Sequence, residues 1–127
     1  MHSTLEIIYL CNMNVENTKA QMRKGVLEYC ILAVISRGSI YASDIIGHLK
    51  EAKLIVVEGT LYPLLTRLKN AGLLSYNWIE STSGPPRKYY NLTDEGTSFL
   101  NELHETWDEL VHAVNVTTEQ TKDKSTK

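Results

Sequence analysis

The apolar positions of the chain fall into four blocks at helical spacing, with one alternating stretch between the third and the fourth. From about Thr18 to Ser36, Met22, Val26, Leu27, Tyr29, Cys30, Ile31, Leu32, Val34 and Ile35 recur every three to four residues and become nearly continuous. That pattern predicts a helix buried on most sides. Arg37-Gly38-Ser39 ends it, Gly38 being suited to a left-handed cap. Ser43 reads as the N-cap of a short second helix, with Asp44 favourable near its start and Ile45, Ile46 and Leu49 turned inward; it runs out near Ala52. A third helix is expected from Glu58 or Gly59 to Gly72. At 100° per residue its inner face is Leu61, Leu64, Leu65 and Leu68. The opposite face carries Gly59, Tyr62, Pro63, Thr66 and Asn70, with Thr60, Arg67 and Lys69 at its margins. Pro63 falls in the first turn or just past it, where a missing N–H is tolerable.

After Gly72 the period changes to two: Leu74, Tyr76 and Trp78 alternate with Ser75, Asn77 and Ile79, the pattern of a strand. Ser81 to Pro86 reads as a loop and Arg87 to Leu92 as a returning strand, so a β-hairpin results. Thr93 then caps a long fourth helix, with Asp94 and Glu95 well placed against its N-terminal dipole. Its apolar stripe is Phe99, Leu103, Trp107, Leu110, Val111 and Val114, and regular structure is expected to fade by Thr117 or Thr118.

Three helices followed by a hairpin is the element order of a winged helix-turn-helix. The expected fold is therefore mainly α with a small β-hairpin, extended by a long C-terminal dimerisation helix. Its divisions are a loosely ordered tail over 1–18, the winged unit over 19–92, the dimerisation helix over 93–118 and a disordered polar tail over 119–127. With 127 residues the chain holds one domain and not two.

Charge changes the picture only when divided along the chain. The total of −2 argues against a nucleic-acid partner, yet residues 19–92 carry ten Lys/Arg against five Asp/Glu, and residues 93–127 carry three against eight. A basic body joined to an acidic C-terminal segment is the asymmetry expected when one part meets phosphate and the other does something else. Cys11 and Cys30 are too few for a disulfide framework and lack metal-ligand spacing, which favours a reducing cytoplasm. The apolar run Leu5–Cys11 contains Glu6 and is far too short to span a bilayer, so no membrane association is expected.

In this architecture the third helix enters the major groove and the hairpin reaches the backbone. Tyr62, Thr66 and Asn70 offer donors for phosphate oxygens or base edges, Gly59 lets the backbone approach, and Arg67 and Lys69 add charge at the margin. In the hairpin, Gly84-Pro85-Pro86 stiffens the approach to Arg87-Lys88, two cations placed to straddle a phosphate backbone.

The run from Glu58 to Leu68, Gly72-Leu73-Leu74, and the run from Gly84 to Gly96 closely resemble PadR-type transcriptional regulators, the similarity spanning roughly Gln21 to Val114. The resemblance implies a homodimeric bacterial regulator, usually a repressor, binding an inverted repeat in double-stranded DNA through the third helix and wing. Tyr62, Thr66, Arg87 and Lys88 inherit DNA-contacting roles by that similarity, and Glu58 and Leu65 architectural ones. Ala42 departs from the glycine frequent in the family before the second helix. Some small relatives stack planar aromatic ligands on tryptophans at the dimer centre, and Trp107 resembles that position.

Physical reasoning also asks for a dimer. A three-helix core with a hairpin cannot cover the whole stripe from Phe99 to Val114, so the fourth helix needs a partner, most simply its symmetry mate. Against an enzyme stands the lack of a Gly-rich phosphate loop or a Cys/His nucleophile arrangement. His104, Asp108 and His112 share a spacing of four, but their face lies opposite the apolar stripe, which reads as solvated surface rather than a metal site; no cofactor is expected. The rival function is a winged-helix adaptor that pairs through the fourth helix and ignores DNA, supported by the modest positive charge and the uncharged outer face of the third helix.

Overall fold

The computed structural model describes residues 3, 4 and 14–125. The Leu5–Cys11 run and most of the expected N-terminal tail lie outside the described residues. The chain runs through helix α1 (Val15–Ile35), strand β1 (Ile40–Tyr41), helices α2 (Ala42–Glu51) and α3 (Glu58–Asn70), strands β2 (Leu74–Ser81) and β3 (Gly84–Leu92), and helix α4 (Asp94–Ser125). It is mainly helical, a winged helix-turn-helix with a long C-terminal helix, as the hydrophobic pattern implies.

The core sits where the first three helices meet the sheet. Ile31, Leu32 and Ile35 of α1, Ile45 and Leu49 of α2, and Leu61 and Leu65 of α3 are its most completely buried large side chains. Leu68, Leu74, Tyr90 and Leu100 close it from α3, the sheet and α4. Each such side chain contributes about 1.5–3 kcal/mol by leaving water, and this cluster fixes α3 so that its other face stays outside. Leu64 is only half-buried, at the edge of that packing.

Several boundaries differ from the pattern-based expectation. Helix α1 starts at Val15 and not near Thr18, because the Asn14 side chain accepts the Asn17 N–H at 2.8 Å and caps the helix earlier. Helix α2 starts at Ala42, with Tyr41 and not Ser43 in the capping position and no side-chain cap. The reason is a third strand too short to leave a period in the sequence: Ile40 and Tyr41 pair with Tyr90 and Tyr89, giving an antiparallel sheet in the order β1-β3-β2.

The hairpin is also tighter than expected. Ser81 pairs with Gly84, so Pro85 and Pro86 belong to β3 and not to a loop. They are tolerated because the ladder slips between Ile79 and Ser81, leaving them in an irregular stretch where no regular N–H bond is required. Helix α4 runs on to Ser125, past the fading expected at Thr117 or Thr118 and into the segment read as a disordered tail. Both hydroxyls donate within the helix, to Ala113 O and Val114 O, so neither interrupts it.

The start of α4 is locked to the end of α3. Gly72, at φ 83°, turns the chain in a conformation that suits glycine. Thr93 Oγ1 donates to Gly72 O at 2.7 Å and accepts the Gly96 N–H at 3.0 Å, acting as the expected N-cap while tying two turns together. A Cβ on Gly96 would overlap the Leu73 carbonyl oxygen, so only glycine allows α4 this close.

Candidate nucleic-acid interface

Two elements converge on one side of the body. Because Leu61, Leu65 and Leu68 are buried, the helical period forces Gly59, Thr60, Tyr62, Pro63, Thr66, Lys69 and Asn70 outward, and all are exposed. Helix α3 stays unbroken across Pro63. Beside it, a pocket of about 250 Å³ lies between the start of α2, α3 and the wing, with Tyr41, Tyr62, Trp78, Arg87 and Lys88 among its walls. The Tyr62 hydroxyl in that pocket has its pKa raised, first by burial and then by Glu58 and Tyr41. It therefore remains a proton-bearing donor at neutral pH, the form that can give a hydrogen bond to a phosphate oxygen.

The two wing cations part company. Neighbours on a strand point to opposite faces, and the Arg87 guanidinium lies over the Tyr41 ring at 5.0 Å, whereas the half-buried Lys88 turns toward the helices. Lys88 Nζ stands 4.1 Å from the Tyr76 ring centre, 5.4 Å from that of Trp78 and 5.9 Å from that of Tyr90. All three rings are within cation–π range. Tyr90 is the buried member of the Tyr89–Tyr90 pair, so one of these tyrosines packs inward as the alternation implies.

The marginal residues of α3 behave differently from one another. Lys69 reaches back over Tyr76, its Nζ 5.5 Å from the ring centre. Arg67, expected at the margin of the outer face, forms an ion pair with Glu28 of α1 while its side chain stays two-thirds exposed. Sequence reasoning missed Tyr41, Tyr76 and Trp78 as holders of cations. The signal for the last two was present, since aromatic residues two apart on a strand share a face with the residues opposite them; the signal for Tyr41 was not, because β1 is only two residues long.

On the far side, α4 packs on α1. Leu103 is half-buried against the core. Phe99, Trp107, Leu110 and Val114 remain exposed, the last three at 39%, 50% and 49%, and Val111 is half-buried. Among the described residues the stripe is thus an apolar ridge that stays exposed. His104 does not belong to a purely solvated face: its Nδ1 is 2.5 Å from the Tyr29 hydroxyl of α1. Among the described residues no group of three or more His, Cys, Asp and Glu is arranged to hold a metal ion, and no helix is long and apolar enough to cross a membrane.

This geometry has counterparts of known sequence and structure. The model of the transcriptional regulator PadR-like family matches residues 31–102. A PadR-like transcription factor from Bacteroides fragilis is 66% identical, with 80% of this chain and 98% of that one covered and a TM-score of 0.68. A PadR family transcriptional regulator from Eggerthella lenta is 33% identical, covering 83% of this chain and 92% of its own at a TM-score of 0.76. Bacillus subtilis PadR, solved in complex with operator DNA, is 27% identical over 61% of this chain and 45% of its own, with a TM-score of 0.57. The match takes in α2, α3, the wing and the start of α4, and this chain belongs to the PadR-like family of transcriptional regulators.

Proposed function

We propose that this chain is a DNA-binding repressor that acts in the cytoplasm as a homodimer on an inverted-repeat operator. The observation that carries the reading is the convergence of α3 and the wing: Tyr62, Arg87 and Lys88 wall one pocket beside the hydroxyl-bearing outer face of α3. In this division of labour, Arg87 and Lys88 neutralise phosphate, while Thr66 and Asn70 face base edges in the major groove. The operator complex of the Bacillus subtilis relative supports the same partner here.

The exposed ridge of α4 supports the dimer. Trp107, Leu110 and Val114 form an apolar surface that a second α4 would cover, and pairing by a two-fold axis would set two copies of α3 about 34 Å apart, one turn of DNA. Trp107 at the centre of that seam, with Tyr29 tilted against it at 6.3 Å, is the residue on which a planar aromatic effector would stack to relieve repression.

Selection of binding sites from random duplexes, with the fragment upstream of the protein's own gene included, tests the reading. The expected product is a two-fold repeat with half-sites about 10 bp apart. Thr66→Ala should change the selected sequence, whereas Arg87→Ala should weaken every duplex alike. A winged-helix adaptor would enrich no sequence and respond to neither change.

A further inference from the structure

Lys69 on α3 and Lys88 on β3 come from different elements, yet both ammonium groups lie over one ring, that of Tyr76 on β2. Their distances from its centre, 5.5 Å and 4.1 Å, keep them no farther apart than about a Debye length at 0.1 M salt, ~10 Å. Two like charges, one exposed and one half-buried, would ordinarily swing apart, since each is a flexible stem with a well-hydrated head. The electron-rich faces of Tyr76, Trp78 and Tyr90 offset the repulsion and hold Lys88 in place, while Lys69 is drawn to the same ring from the helix side.

An anion brought to this place would meet two cations that share one ring, and binding would cost less side-chain freedom than with two independent lysines. Tyr76 itself carries no charge, and it is half-buried between the wing and α3. We propose that Tyr76 is a positioning residue that joins one cation of the recognition helix and one of the wing into a single phosphate-binding unit. This inference rests on the DNA-binding reading above.

The distinctive consequence is that a neutral substitution changes an electrostatic readout. For wild-type protein, Lys69→Ala, Lys88→Ala, Tyr76→Phe and Tyr76→Leu, the affinity for one duplex is measured across salt concentrations. Each lysine variant should flatten the log–log slope by about one unit. Tyr76→Leu should flatten it by more than one, although it removes no charge, and should weaken binding about tenfold or more at low salt. Tyr76→Phe keeps the ring and should retain the wild-type slope. A fluorinated phenylalanine at 76 preserves shape while weakening the ring's negative face, and it should fall between these two even if the leucine variant folds poorly. A wild-type slope in both Tyr76→Leu and the fluorinated variant, with the lysine variants flattened, would overturn the proposal. So would Lys69→Ala and Lys88→Ala that leave the slope intact while DNA is bound. Failure of the wild-type protein to bind any duplex would instead overturn the DNA-binding reading beneath it.

Discussion

The Tyr29 hydroxyl of α1 lies 2.5 Å from His104 Nδ1 of α4, and the two rings meet edge to face at 5.3 Å between centres. This contact joins α1 to α4 beyond the Thr93 cap and the buried Leu100, and so adds to what sets the direction in which the C-terminal helix leaves the body. Tyr29→Phe keeps the ring and removes the bond. It should lower stability by about 1 kcal/mol, read from the midpoint of a urea titration. His104→Ala added to Tyr29→Phe should then cost less than it does alone, because the shared bond is already gone. Strictly additive losses would show that the two residues do not act as a pair.

The close approach at the head of α4 makes a second prediction. Gly96→Ala drives a methyl group into the Leu73 carbonyl oxygen, which is held by the Thr93 N–H at 3.1 Å and cannot yield easily. Overpacking of this kind costs about 1–3 kcal/mol, so the melting temperature should drop by several degrees, whereas Gly47→Ala on open α2 surface should not lower it.

Stability should also decline in alkali. Burial raises the pKa of Tyr90, with Tyr62 and Tyr76 adding to it, and burial likewise raises Tyr29 and Tyr62. A phenol is neutral when protonated, so the folded chain holds these protons more tightly than the unfolded chain. Their contribution is complete below the unfolded tyrosine value of about 10 and is lost as pH rises through the folded values. Urea midpoints should therefore fall between pH 9 and pH 11, and Tyr90→Phe should reduce the fall. An unchanged or rising midpoint would contradict this.

The cations at the interface should not be equivalent. Arg67 is engaged by Glu28, while Arg87 is exposed over Tyr41. Arg87→Ala should reduce the salt slope of DNA binding by about one unit, and Arg67→Ala by well under one. Glu28→Ala should cost little stability, about 1 kcal/mol or less, because the Arg67 side chain of that pair is two-thirds exposed. It should also release Arg67 and steepen the slope.

Much of this fold is legible in the sequence because burial imposes a period. The leucines of α3 define an inner face, so Tyr62, Thr66 and Asn70 are outward by geometry alone, and Thr93 declares itself as a cap. What the pattern does not reveal depends on pairing between distant residues. Two-residue β1 has no period, yet it places Tyr41 beneath Arg87. That Arg67 pairs with Glu28 is decided by α1, thirty-nine positions away in the chain. The trio of rings around Lys88 follows from a strand register that alternation suggests but cannot fix, and α4 continues to Ser125, past Val114, the last residue of the apolar stripe from which its end is read.

The most direct test of the whole account is stoichiometry on DNA. Mass photometry or sedimentation would follow the purified protein titrated onto its selected two-fold duplex, onto a single half-site, and with Leu110→Glu in place of the wild type. Two chains per full site, weak binding to the half-site and a monomeric Leu110→Glu variant that loses the full site are expected. A wild-type protein that stays a single chain in solution and leaves every duplex free at low salt would contradict it.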